Sequence, residues 1–151
     1  MSSTNSNIYI RAAEVSDFET LYSLMREFAA FQKTPERLTL TPEQMRRDKD
    51  IFKCLVAVSS QDEIVGFSTW FFAYYSWTGK AVYMDDLYVA ESYRGLGIGS
   101  RLLQAVIELA KQAGCNKVKW QVSKWNEPGI TYYKKMGATI DEVDINCDLK
   151  I

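Results

Sequence analysis

The stretch Arg94-Gly95-Leu96-Gly97-Ile98-Gly99 decides how the rest of the chain is arranged. A strand-like run, Lys80 to Ala90, leads into it, and an amphipathic segment, Ser100 to Ala113, leaves it and closes at Gly114. Glycines at alternate positions allow a tight turn and let backbone N–H groups converge on one point. A helix starting there adds its unpaired first N–H groups and the positive end of its dipole. The product is an anion cradle suited to a phosphate or pyrophosphate; the alternative is a glycine-rich surface turn ahead of a helix. A nucleotide P-loop needs Lys followed by Ser or Thr after its last glycine, where this chain has Ser100-Arg101. A dinucleotide fingerprint needs two residues between its second and third glycines, and here only Ile98 separates Gly97 from Gly99.

A chain of 151 residues fits one domain, residues 1–151, with a sizeable core. Its 47% apolar and 25% charged residues are ordinary globular composition, and a formal charge of −1 offers no electrostatic argument for nucleic acid or an anionic membrane, neither of which is expected as partner. Cys54, Cys115 and Cys147 lie far apart with no metal-ligand spacing, so reduced intracellular thiols and no metal site are expected. Met1 to Asn7 is polar and lacks the apolar core of a signal peptide. The longest apolar run, Val65 to Tyr75, contains Ser68 and Thr69 and is far short of the ~20 residues that span a bilayer. A soluble cytoplasmic protein is expected. The chain has no histidine, which excludes Ser-His-Asp hydrolysis, Cys-His catalysis and histidine-ligated zinc. Acid–base chemistry must fall to carboxylate, tyrosine, lysine, cysteine or water.

In chain order, Ile8 to Arg11 reads as a first strand. Ser16 is expected to cap a helix from about Asp17 to Gln32, with Glu19 completing a capping box and Phe18, Leu21, Leu24, Met25 and Phe28 facing the core. Pro35 ends that segment, and Thr41-Pro42 starts a shorter helix. Cys54 to Ser59 and Ile64 to Tyr75 form a hairpin around the turn Gln61-Asp62-Glu63. Both parities of the second strand are apolar, so it should be covered on both faces, with the aromatics from Trp70 to Trp77 mostly core and the far end of the series able to wall a pocket. In the next strand Val82 and Met84 share one parity, but the apolar set resumes at Leu87 and Val89 with the other. One extra residue across Asp85-Asp86, a β-bulge, restores a continuous face. Lys117 to Ser123 alternates as a strand, Asn126 caps a helix that Gly137 closes, and Ala138 to Ile140 and Val143 to Leu149 are candidate final strands. The order implies an α/β three-layer domain around a mixed sheet.

Arg-x-x-Gly-x-Gly, read from Arg94 to Gly99, resembles the coenzyme A pyrophosphate loop of the GNAT superfamily of acetyl-CoA-dependent N-acetyltransferases. Asn126-Glu127-Pro128-Gly129, followed by Tyr133 four residues before Gly137, is similar to the late segment of that superfamily. Trp77 to Asp86 is similar to the corresponding stretch of the diamine (spermidine/spermine) acetyltransferases and their thialysine-acetylating relatives. The resemblance implies the GNAT fold, with a splayed sheet bulged in its central strand, and acetyl-CoA as acyl donor. It places the pyrophosphate on the amides of Gly95, Leu96, Gly97, Ile98, Gly99 and Ser100, with Arg94 as ion-pair partner. Backbone groups of Leu87, Tyr88 and Val89 would pair with the pantetheine arm like an added strand, and Asn126, Pro128 and Gly129 would contact the same arm.

The resemblance also casts Tyr133 as general acid, the alternative being a core aromatic. Reference pKa values of ~10 for phenol and ~8.5 for thiol let tyrosine donate to a departing sulfur. An N–H near Leu87 would stabilise the oxyanion. Asp85 stands where those enzymes carry a Glu that handles the substrate amine; one methylene shorter, it is expected to orient the ammonium and take its proton through water. Phe31-Gln32, Trp77 and Lys119-Trp120-Gln121 match segments that border the substrate site. Gln32 replaces an acidic residue of the diamine enzymes, which leaves room for an amino-acid-like amine. The acceptor is expected to be a small-molecule amine, with a protein amine or a non-catalytic acyl-CoA sensor as alternatives, and a homodimer is expected from the family.

Overall fold

The computed structural model describes residues 7–151, so the polar stretch read at Met1 to Asn7 lies outside the described residues except for Asn7. The chain divides into two compact units, one ending at Trp120 and the other Gln121–Ile151.

The first unit holds five strands: β1 (Tyr9–Ala12), β2 (Lys53–Val58), β3 (Ile64–Tyr75), β4 (Gly79–Val89) and β5 (Val118–Lys119). They lie side by side in chain order, the first four antiparallel and β5 parallel to β4, which makes the sheet mixed. Helices α1 (Phe18–Phe31) and α2 (Pro42–Arg47) cover one face, and α3 (Ile98–Gln112) covers the other. On the first face Phe18, Leu21, Met25 and Met45 pack on Cys54, Val56, Val58, Phe67 and Tyr88. Gly66, next to Phe67 and so on the opposite face, lies under α3. A Cβ there would stand 3.0 Å from the Tyr88 carbonyl and 3.4 Å from Leu102. Ile98, Leu102, Leu103, Val106 and Ala110 bury the apolar stripe of α3.

The bulge lies where the parity flip puts it. Thr69 pairs with Asp86 and Trp70 with Met84, leaving Asp85 as the extra residue. Thr41 caps α2 as read, its Oγ1 accepting the Gln44 N–H at 3.2 Å while Gln44 Oε1 accepts the Thr41 N–H at 2.9 Å.

Four expectations need correction. Ser16 does not cap α1: a 3-10 turn, Val15–Asp17, precedes it, and Asp17 accepts the Glu14 N–H at 2.7 Å because Arg11 already holds that carboxylate at the helix start. Only the first half of β3 is buried on both faces. Beyond Thr69 the hairpin runs past its covering helices, so Phe71, Phe72, Tyr74 and Trp77 are exposed rather than core. Strand β5 is confined to Val118–Lys119, because its ladder with β4 stops at Tyr83, two residues before the bulge. In the second unit, α4 (Glu127–Lys135) forms as read, but residues 138–140 and 143–149 form no strand. Alternation in Val143, Ile145 and Leu149 is a pattern without a neighbouring strand to satisfy its backbone, and all three are exposed.

Candidate active site

The glycine stretch adopts the conformation its composition suggests. Gly95 and Gly97 have φ of +77° and +78°, in the left-handed region, and Gly97 is the N-cap of α3. A Cβ on Gly95 would meet nothing within 4 Å, so backbone conformation rather than space demands glycine there. Ile98 is buried and anchors the loop, and no acidic side chain occupies the first turn of α3. The first N–H groups of a helix have no intrahelical acceptor, so this terminus favours an anion.

The second component is the edge of β4 that points away from β3. The Ala90 N–H donates to the Val65 carbonyl at 2.8 Å. Alternation along an antiparallel pair then turns the backbone of Tyr88 toward β3 and that of Leu87 and Val89 toward the opposite edge. Because β5 pairs with β4 only at Val82 and Tyr83, no strand among the described residues lies along that edge between the bulge and the loop. The sheet is splayed there, and extended backbone has somewhere to pair. The Val89 carbonyl accepts from Arg94 Nε at 3.0 Å.

Two hydroxyls that the sequence reading missed hold the bulge. Ser68 Oγ donates to the Asp86 carbonyl at 3.0 Å, and Thr69 Oγ1 accepts the Asp86 N–H at 3.1 Å. Both side chains are buried. The available signal was two hydroxyl residues inside an apolar strand, opposite an inferred irregularity. Burial pushes the Asp86 carboxyl up to about 6, with the charge of Asp85 adding to it. Burial also raises Asp85, although its surface stays open to solvent, which moderates the effect. The Tyr83 phenol is raised by burial first, then by Asp85 and Tyr75.

Around this edge, the Arg94 guanidinium lies over the rings of Phe31, at 4.4 Å, and Tyr88, at 5.3 Å. Tyr88 in turn donates its hydroxyl to Glu27 Oε2 at 3.0 Å. Glu27 also lines an open cleft with Tyr22, Arg26, Pro35 and Leu38. Gln32 terminates α1, its N–H donating to the Phe28 carbonyl. Trp77 sits 97% exposed in the turn between β3 and β4, away from the bulge along the hairpin. Lys119 ends β5 opposite Tyr83, and Trp120 closes the unit.

In the second unit, Gln121 is the first residue, and Asn126 caps α4 by accepting the Gly129 N–H on Oδ1 at 3.1 Å. That bond commits Oδ1 to the helix and leaves the amide Nδ2 as donor. A Cβ on Gly129 would fall 2.6 Å from Asn126 Nδ2, so the cap requires glycine at this position. Pro128 stands in the first turn, where its missing N–H costs nothing. Tyr133 is half-buried, its ring edge-on to Tyr132 at 5.7 Å. Burial raises its phenol above the ordinary value, with Tyr132 contributing, so the proton is retained at neutral pH.

The "Acetyltransferase (GNAT) family" model matches residues 18–138. Thialysine N-epsilon-acetyltransferase of Mus musculus is 35% identical over 140 residues, covering 85% of this chain and 82% of that protein. Spermidine/spermine N(1)-acetyltransferase-like protein 1 of Homo sapiens is 37% identical over 139 residues, 85% of this chain but 20% of that much longer protein. Among solved structures, the aminoglycoside acetyltransferase meta-AAC0020 from an uncultured soil metagenomic sample, in complex with sisomicin, matches at a TM-score of 0.79 and 19% identity. The match covers 97% of this chain and 98% of that one, and bears on fold alone. With its glycine loop ahead of α3, bulged mixed sheet and match over residues 18–138, the chain belongs to the GNAT family of acetyltransferases.

Proposed function

We propose that this chain transfers the acetyl group of acetyl-CoA to a primary amine of a small molecule, by direct attack of the amine on the thioester. The observation that carries the proposal is the edge of β4 between the bulge at Asp85 and the glycine loop, along which no strand lies among the described residues. It offers an extended arm a strand to pair with, and it ends at a helix terminus suited to its diphosphate. Acetyl-CoA supplies the activated acyl group. Amides of Gly95 to Ser100 would hold the diphosphate, backbone groups of Leu87 and Val89 the pantetheine arm, and Asn126 Nδ2 a polar group of the same arm. An N–H at the bulge, near Leu87, would stabilise the oxyanion that forms when the amine attacks.

A protonated amine cannot attack, since an alkyl ammonium has a pKa of ~10. Asp85, with Asp86 beside it, orients the ammonium and accepts its proton through water. Their upward shifts move them toward the pH at which a carboxylate serves as base. Tyr133 returns a proton to the departing sulfur; its raised phenol keeps that proton available. The acceptor amines in the names of the thialysine and spermidine/spermine relatives support a small-molecule acceptor over a protein. We further propose a homodimer, for which exposed Phe71, Phe72, Tyr74 and Trp77 offer apolar surface; sedimentation at micromolar concentration tests it.

Incubation with acetyl-CoA and a panel of amines, read by mass spectrometry, tests the reaction. The expected result is N-acetylated amine and free CoA in equal amounts, with turnover down about 100-fold in Tyr133→Phe. CoA release without amine acetylation, or unchanged turnover in that variant, contradicts the assignment.

A further inference from the structure

Arg94 carries the only charge in the stretch from Arg94 to Gly99, and its side chain is held from outside that stretch. Nε donates to the Val89 carbonyl at 3.0 Å, while the guanidinium lies over two rings, Phe31 at 4.4 Å and Tyr88 at 5.3 Å. Tyr88 is a buried, fixed support. Its ring meets Phe28 edge-on at 4.9 Å, and its hydroxyl donates to Glu27 Oε2 at 3.0 Å. Phe31 is different: it is the last residue of α1, 59% exposed, and adds little to the core. The last turn of α1 also holds no basic residue, so Arg94 brings a positive charge to the negative end of that helix dipole.

A free arginine side chain loses much rotational freedom when it grips a ligand, and one already fixed in place loses less. The bond to Val89 uses Nε, which leaves the N–H groups of Nη1 and Nη2 as donors. Among the described residues no carboxylate lies within ion-pair distance of them. They belong to the residue directly ahead of the amides of Gly95 to Ser100, where a diphosphate needs its charge matched. We propose that Phe31 is a positioning residue for the donor: with Tyr88, its ring holds the Arg94 guanidinium ready for the diphosphate of the acyl carrier. The end of α1, expected from the sequence to border the acceptor, thereby serves the donor as well. The inference rests on the acetyl-CoA reading above and adds a residue to its donor site.

Calorimetric titration with CoA and with 3′-dephospho-CoA, which keeps the diphosphate, tests this without any acceptor. Phe31→Leu keeps an apolar side chain at an exposed site but removes the aromatic face, and it raises Kd for both ligands about three- to tenfold. Phe31→Trp restores the wild-type affinity. Arg94→Ala weakens both ligands on its own, and in that background Phe31→Leu adds nothing, because the group it positions is gone. A general structural role for Phe31, or stacking of its ring on the adenine, would weaken binding equally in that background, and this result overturns the inference. An unchanged Kd in Phe31→Leu overturns it too, as does a loss confined to CoA, which would put the guanidinium on the 3′-phosphate. Each of those results leaves the acetyl-CoA reading standing. No binding of CoA to the wild-type chain overturns both.

Discussion

At Asp17, two guanidinium N–H groups of Arg11 meet the two carboxylate oxygens at 2.7 and 3.1 Å, and the Glu14 N–H adds a bond at 2.7 Å. Arg11 hydrogen bonding holds this carboxyl below its ordinary value against the cost of burial. Its contribution is present above pH ~4 and is lost as pH falls through the depressed folded value. Asp17→Asn should cost about 2–3 kcal/mol at pH 7, read from urea midpoints, and less at pH 3. Asp86 has the opposite sign. Its carboxyl, raised by burial to about 6, binds its proton more tightly folded than unfolded, so stability is lost as pH rises from ~4 through 6. Asp86→Asn should therefore raise Tm at pH 7 by about 2–4 °C and change it little at pH 4. Since Asp85 and Asp86 interact, the acid limb of kcat/KM near pH 6 belongs to the pair; a profile flat from pH 5 to 8 would remove them from proton transfer.

The strand-to-helix element of β4, loop and α3 was legible because its signals are local. Alternate glycines, an apolar stripe after them and a parity flip before them each state a geometry without help from distant residues. Gly97→Ala puts a Cβ on a residue at φ +78°, which costs about 1–2 kcal/mol and tilts the first turn of α3. We expect it to raise KM for acetyl-CoA more than it lowers kcat. Equal KM values would detach the loop from the donor. Less legible were features set by tertiary neighbours. Ser16 is a good cap on paper, but the salt bridge from Arg11 of β1 to Asp17 sets a 3-10 turn ahead of α1 instead. The aromatic half of β3 carries a core pattern, yet whether helices reach it depends on their length and placement. The bulge was readable from one strand, but the Ser68 and Thr69 hydroxyls that hold it needed the pairing register. Ser68→Ala should cost about 1 kcal/mol in stability, and more in turnover if the bulge places the reacting carbonyl.

Across the whole molecule, the family match runs from residue 18 to 138 and so through both compact units. The proposed roles fall in both: glycine loop, β4 edge and bulge carboxylates are residues of the first unit, Asn126 and Tyr133 of the second. Fold and reaction class were legible because three short motifs carry backbone geometry. Which acceptor is used was not, because acceptor choice rests on side chains that only tertiary structure brings together. Amide shifts followed while CoA is titrated into the labelled chain test the central claim most directly. The account predicts saturable changes at Leu87 and Val89 and from Gly95 to Ser100. CoA bound with those amides unmoved, or no binding at millimolar concentration, would contradict it.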